Sequence, residues 1–359
     1  MKKTFIILAA SLVSSSLAFA QVKEDFVSLS SNQRGKEYPM ANSQGYVRDR
    51  VIAPNATDVQ LQINGKFFPM TKQEDGSWIG TSTEAFDEGN HYYAIVINGV
   101  EVPDPNSKFL YGSGAERTQI ELPAHDQDKY ALRDVPHGDV RETYFASPRN
   151  GEHRHLFIYT PPQYDKDTRA SYPVLYLLHG HSENETGWSH QGRCNWIMDN
   201  LIADGKSLPF IIVNMFGELQ DFQAILSEEI IPFIESRYRV KTGAENRAIA
   251  GLSMGGMQTK RFSLAMPDKF GYVGIFSGGV ISVKDLEATP AYAKNNRLTF
   301  VSYGSREVEH PRGTHPKDVV AEIKAKGINA IYYESPLTAH EWQTWRRSLY
   351  EFAPLLFKK

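Results

Sequence analysis

The chain has 359 residues, 41% of them hydrophobic and 23% charged, which supplies enough apolar mass for more than one packed core. A net charge of −3, with no basic tract and no basic–aromatic interleaving, argues against a nucleic-acid-binding surface. The single cysteine, Cys194, excludes an intrachain disulfide framework and a cysteine-based zinc site, and its neighbours Trp196, Ile197 and Leu201 predict a buried thiol.

The chain opens with Met1-Lys2-Lys3, an apolar stretch and a small-residue end at Ala18-Phe19-Ala20, the three parts of a secretory signal peptide over residues 1–20. The apolar stretch is short for a bilayer span and is broken by Ser11 and Ser14, so a secreted or periplasmic location is expected, with no membrane span after cleavage. Residues 21–123 then read as all-β. Val59, Leu61 and Ile63 alternate with polar neighbours and end at Asn64-Gly65, and Tyr93, Ile95 and Ile97 do the same and end at Asn98-Gly99. Both Asn-Gly pairs are hairpin signals, and the spacing predicts a small immunoglobulin-like sandwich. Trp78 and the Tyr92-Tyr93 pair are expected to pack in its core, stacking on sugar rings being the alternative.

A polar stretch over residues 124–134 reads as a linker. From residue 135 to 359 the rhythm changes. Strands are predicted at 155–160, 173–178, 210–215, 248–250, 298–303 and 330–334, and helices at 195–203, 227–238, 256–266, 316–326 and 342–352. This alternation predicts an α/β domain with a mostly parallel sheet covered on both faces.

Within it, Gly251-Leu252-Ser253-Met254-Gly255 follows an apolar strand and opens a helix, the context of a nucleophile elbow. A serine hydroxyl is a poor nucleophile. It needs a sharp turn with little bulk around it, a base to take its proton, an acid to orient the base and donors for the oxyanion. In hydrolases of this architecture the chain order is serine, acid, histidine. Downstream of Ser253 stand His310, His315 and His340, and His340 lies on the loop after the last predicted strand, where the base belongs. His310 and His315 lie in a polar loop that suits solvated side chains. The acid is expected just after the strand at 298–303, with Glu307 preferred over Glu309. The amide of Met254 is the first oxyanion donor expected, and His181 or Ser182, in the turn Leu178-His179-Gly180-His181-Ser182, supplies the second. Trp188, Phe216 and Trp342 are candidate substrate contacts, although Trp342 and Trp345 are spaced to pack inward on a helix.

Several stretches together resemble carbohydrate esterase family 1, in its esterase D and feruloyl esterase group. They are Val135-Pro136-His137-Gly138, Tyr159-Thr160-Pro161-Pro162, Leu178-His179-Gly180, Asn184-Glu185-Thr186-Gly187-Trp188, Gly251 to Gln258, Phe276-Ser277-Gly278-Gly279 and His340-Glu341-Trp342-Gln343-Thr344-Trp345-Arg346. Residues 21–123, with Asp104-Pro105-Asn106, resemble the early-set, branching-enzyme-type module often fused ahead of such esterases. The resemblance implies an α/β-hydrolase fold and a secreted hydrolase removing feruloyl or acetyl groups from plant cell-wall arabinoxylan, the feruloyl reading preferred, with Ser253 as nucleophile, His340 as base, Glu307 as acid and neither metal nor cofactor. Aspartate is common in the family where Glu307 stands, and glycine where Ser182 stands. The loop over 213–222 is brief beside that of related esterases, which predicts an open, shallow acyl site. An acetylxylan esterase, a siderophore-ester hydrolase and a non-catalytic carbohydrate-binding protein are the rival readings.

Overall fold

The structure, a computed structural model, describes residues 22–309 and 313–358. The signal-peptide expectation and His310 lie outside the described residues.

The first hundred described residues form two antiparallel sheets. One runs in the order Val27–Ser28, Met40–Ala41, Val47–Ile52, Ser77–Thr81, Thr71–Lys72. The other runs Phe109–Gly112, Ala115–Leu122, Gly89–Ile97, Val59–Ile63, Lys66–Pro69, with Val100–Val102 against Gly89–Ile97. Both Asn-Gly pairs close hairpins: Asn64 and Gly65 have φ of 49° and 80°, Asn98 and Gly99 of 50° and 81°, the left-handed pair that a two-residue turn requires. Strand alternation sends Val47, Leu61, Ile63, Tyr93, Ile95 and Ile120 into one core between the sheets. Trp78 and Tyr93 are buried there, as expected.

Tyr92 does not join that core. In Gly89–Ile97, Asn90 and Tyr92 face away from the side of Tyr93 and Ile95, and Glu121, register partner of Asn90, shares their face. That second face packs against the rest of the chain. The segment 124–134 is likewise anchored and is no free tether: Tyr130 is buried, and the Asn200 side chain donates to the carbonyls of Asp128, Lys129 and Ala131.

The remaining residues build one eight-stranded sheet. Its strands are β1 (Asp139–Ala146), β2 (His153–Thr160), β3 (Val174–Leu178), β4 (Ile211–Met215), β5 (Arg247–Leu252), β6 (Tyr272–Phe276), β7 (Leu298–Gly304) and β8 (Ala330–Ser335), in the order β1-β2-β4-β3-β5-β6-β7-β8. β1 and β2 are antiparallel to each other, and β2 is antiparallel to β4; the other six strands are parallel. Along β3, Val174, Tyr176 and Leu178 enter one apolar cluster, while Leu175 and Leu177 enter a second on the opposite face. Helices cover both: Ile231–Arg237, Met254–Ala265 and Pro316–Ala325 contribute to the first, Cys194–Ala203 and Trp342–Phe352 to the second. Cys194 is buried and unpaired. This is the α/β-hydrolase arrangement, with loops at the carboxyl ends of the parallel strands available for chemistry.

Candidate active site

Ser253 lies between β5 and helix Met254–Ala265, at φ 51° and ψ −115°. That conformation is costly for a residue with a side chain, and the surroundings enforce it. A Cβ on Gly251 would stand 2.5 Å from the Gly255 backbone, and one on Gly255 would stand 2.5 Å from the His179 carbonyl oxygen. The turn therefore closes tightly only with glycine on both sides. The Ser253 amide donates to the Phe276 carbonyl at 2.8 Å, fixing the turn to β6.

The Ser253 Oγ is 2.9 Å from His340 Nε2, and His340 Nδ1 is 2.6 Å from Glu307 Oε2. A carboxylate only accepts, so the Nδ1–H donates to Glu307, leaving Nε2 to accept from the serine hydroxyl. Glu307 sits in the single helical turn Ser305–Val308 after β7. Its other oxygen accepts from the Gly304 amide at 2.7 Å and the Ser277 hydroxyl at 2.8 Å, and Ser277 in turn accepts from the Trp345 indole at 3.1 Å. The carboxylate side chain is only 10% exposed against 50% for the imidazole, so the acid is held from beneath while the base meets solvent. Glu309 is exposed, and His315 lies away from the site, its ring 4.0 Å from Glu334. Such a hydroxyl–imidazole–carboxylate chain can deprotonate the serine and stabilise the resulting imidazolium.

The Met254 amide opens the helix, where backbone donors have no intrahelical partner. His181 lines the cavity holding Ser253 and His340. Ser182 departs from expectation: its amide donates to the Glu218 carboxylate, and its own carbonyl accepts from Gly114 at 2.7 Å. A donor so engaged is not free for an oxyanion, which leaves His181 as the candidate beside Met254. His179 is a positioning residue. Its Nδ1 donates to the Gly180 carbonyl at 2.7 Å and its Nε2 accepts from Gly217 at 2.9 Å. Burial pushes its pKa down, keeping the ring neutral for both bonds.

Two of the three aromatic candidates lie elsewhere. Trp188 is fully buried, donates its indole N–H to the Leu178 carbonyl at 2.9 Å and packs on Phe276, so it is core. Phe216 stacks on His179 and lines a different cavity, of about 460 Å³, whose lining includes neither Ser253 nor His340. Trp342 does line the cavity of Ser253, together with Trp345, whose ring meets His340 edge-on at 5.1 Å.

That cavity, of about 410 Å³, is bounded by more than the α/β loops on which the expectation of an open, shallow site rested. Asn64, Asn90, His91, Tyr92 and Ser113 of the sandwich form one of its walls. Sequence reasoning about loops within the α/β region missed this wall because it arises from the second face of the sandwich. Tyr92 donates to Glu183 at 2.7 Å and accepts from the Trp342 indole at 2.9 Å, linking the two halves beside the cavity of Ser253. The sequence suggested Tyr92 as a core residue, with sugar stacking as the alternative, and did not single out Glu183. The available signal was Asn90 and Tyr92, polar-tipped residues two apart on the strand face opposite its core residues.

A strand-order hydrolase sheet with serine, imidazole and carboxylate gathered at the carboxyl ends of its strands defines an α/β-hydrolase of the ester-hydrolase class. Residues 147–356 match the Esterase family, described as "Putative esterase", and the chain belongs to that family. It is 41% identical over 356 residues to an endo-1,4-β-xylanase/feruloyl esterase of Xylanibacter ruminicola, an alignment covering 94% of this chain and 48% of the relative. It is 25% identical over 290 residues to endo-1,4-β-xylanase Y of Acetivibrio thermocellus, covering 71% of this chain and 26% of that one. The chain thus spans about half or less of the length of these relatives. Among solved structures, a family 1 ferulic acid esterase of Anaeromyces mucronatus in complex with ferulic acid aligns at a TM-score of 0.55 and 21% identity, over 65% of this chain and 96% of that one. The enterobactin esterase of Shigella flexneri aligns at 0.64 and 16% identity over 90% of this chain and 94% of that one. These two likenesses establish the fold.

Proposed function

We propose that the chain is a secreted serine esterase that hydrolyses feruloyl and related hydroxycinnamoyl esters of plant cell-wall xylan. Its amino-terminal sandwich is of the immunoglobulin-like, early-set kind. Ser253 attacks the ester carbonyl while His340 takes its proton, and Glu307 holds the imidazole and stabilises its charge. The amides of Met254 and His181 receive the oxyanion. His340 then protonates the leaving sugar alcohol, and water, deprotonated by the same histidine, releases the acid from Ser253.

The observation that carries this reading is the continuous chain from Ser253 Oγ through His340 to Glu307, at 2.9 and 2.6 Å. The acyl specificity is supported by the xylanase/feruloyl esterase relative, and secretion by the character of residues 1–20. The test is product release from methyl ferulate and from acetylated xylan, side by side, with Ser253→Ala as control. Ferulate release that disappears in the variant is the expected result. Acetate release alone would move the protein to a deacetylase, and turnover unaffected by Ser253→Ala would overturn the mechanism.

A further inference from the structure

Glu183 is a buried acid that the mechanism above does not use. It is 7% exposed and lines the same cavity as Ser253 and His340. Its Oε1 accepts from the Tyr92 hydroxyl at 2.7 Å and its Oε2 from the Gln191 amide at 3.1 Å. Gln191 is itself pinned, donating at 2.7 Å to the Tyr111 carbonyl and reaching the Tyr92 hydroxyl at 3.0 Å. Among the described residues no lysine or arginine neutralises Glu183. The nearby guanidiniums of Arg193 and Arg346 both pair with Glu121 instead.

Burying a carboxyl without a countercharge is costly, and burial pushes this one up to about 7. A carboxylate has about four lone-pair sites, and two are filled here, so each oxygen keeps acceptor capacity for a further donor. Its hydrogen-bond partners Tyr92 and Gln191 are uncharged, and the wall beside it is aromatic, with Trp342 joined to Tyr92. Such a place suits a hydroxyl attached to an otherwise apolar or sugar-like group.

We propose that Glu183, held by Tyr92 of the sandwich and by Gln191, is a specificity-determining residue that accepts a hydrogen bond from a hydroxyl of the bound ester. The inference rests on the esterase reading and deepens it. The hydroxyl belongs either to the phenol of the acyl group or to the sugar of the leaving alcohol, and the chemistry of recognition is the same.

The experiment compares kcat/KM for methyl ferulate, methyl cinnamate and feruloylated arabinose in the wild type and in Glu183→Gln. Methyl cinnamate carries no hydroxyl and reports the Ser253 machinery alone. Loss of one charge-assisted acceptor predicts about 10- to 100-fold lower kcat/KM for the hydroxyl-bearing ester, with methyl cinnamate little changed. A loss on methyl ferulate assigns the phenol; a loss confined to feruloylated arabinose assigns the sugar. An equal loss on all three substrates, or no loss on any, would overturn the proposal, the first result marking Glu183 as purely structural. If the variant does not fold, a wild type that fails to prefer either hydroxyl-bearing ester over methyl cinnamate overturns it too. A wild type inactive on all three would instead sink the esterase reading itself.

Discussion

Arg346 and Glu121 form a fully buried, two-pronged ion pair between the helix that follows His340 and the last strand of the sandwich, with contacts of 2.7 and 3.0 Å. The Arg346 Nε also donates to the Gln191 carbonyl at 2.6 Å, and Arg193 reaches the same glutamate at 3.0 Å. On the next residue, Arg347 pairs with Asp126 at 2.7 Å and Glu88 at 2.5 Å. The helix carrying the imidazole's neighbours is thus also the dock for the sandwich, so interface and active site share one rigid element.

Removing one partner of such a pair leaves an uncompensated buried charge. Glu121→Gln is expected to cost about 3–5 kcal/mol of stability, measured by urea denaturation. A double-mutant cycle with Arg346→Met should return a coupling energy above about 1 kcal/mol. Zero coupling would mean that the two side chains stabilise the interface independently.

Glu307, and not Glu309, is expected to orient His340. Glu307→Gln keeps the shape of the side chain but removes the charge facing the imidazolium. It should lower kcat on methyl ferulate by roughly 10³- to 10⁴-fold, with an unchanged melting temperature. Glu309→Gln should behave as wild type. The opposite ranking would assign the acid to Glu309 and require a rearranged loop.

How far the sequence disclosed this arrangement varied with the kind of constraint. Five of the six parallel strands were legible because burial on both faces demands continuous apolar runs, and those five lie within a residue or two of expectation; β6 was not expected, its Tyr272–Phe276 run being short and interrupted by Gly274. Strand β1 was missed because its residues are mostly exposed, with only Thr143 and its alternating neighbours partly covered, so no apolar alternation marks it. The expected single helix at 227–238 is broken into Phe222–Ile225, a π-type segment Leu226–Ile230 and Ile231–Arg237, with Pro232 at the start of the last.

In the site, Ser253, His340 and Glu307 were readable because chain order and tight glycine turns narrow the choice. The direction of a side chain was not. Trp188 and Trp342 both belong to the family-like stretches, yet one points its indole to the Leu178 carbonyl and the other to Tyr92. The capture of the Ser182 amide by Glu218 depends on a left-handed backbone at Ser182, φ 59°, which no local pattern announces.

Gly255→Ala tests the close approach of the nucleophile helix to β3. The new methyl would lie 2.5 Å from the His179 carbonyl oxygen and 2.8 Å from the Leu178 Cβ, both parts of the strand end that leads to His181. Overpacking of this kind is expected to cost about 1–3 kcal/mol. Activity at a temperature where the variant remains folded should fall further, since the oxyanion donors are displaced from each other. A variant with reduced stability and full kcat would show that the His181 amide is not needed where it stands.

The protonation of Glu183 should be visible in stability as a function of pH. In the folded chain its carboxyl is pushed up to about 7 from the usual 4.5, burial outweighing the hydrogen bond from Tyr92 and the nearby Trp342 indole. Below 4.5 the group is protonated in both states and costs nothing. As pH rises from 4.5 to about 7 the unfolded chain holds fewer protons than the folded one, so stability is lost progressively over that range and levels off above about 8, by roughly 3 kcal/mol at most. Glu183→Gln lacks this titration. The stability of the variant relative to wild type should therefore climb between pH 5 and pH 8, as measured by urea denaturation at each pH. A difference that stays flat across that range would mean that Glu183 is already ionised in the folded protein, and that a cation or water compensates it.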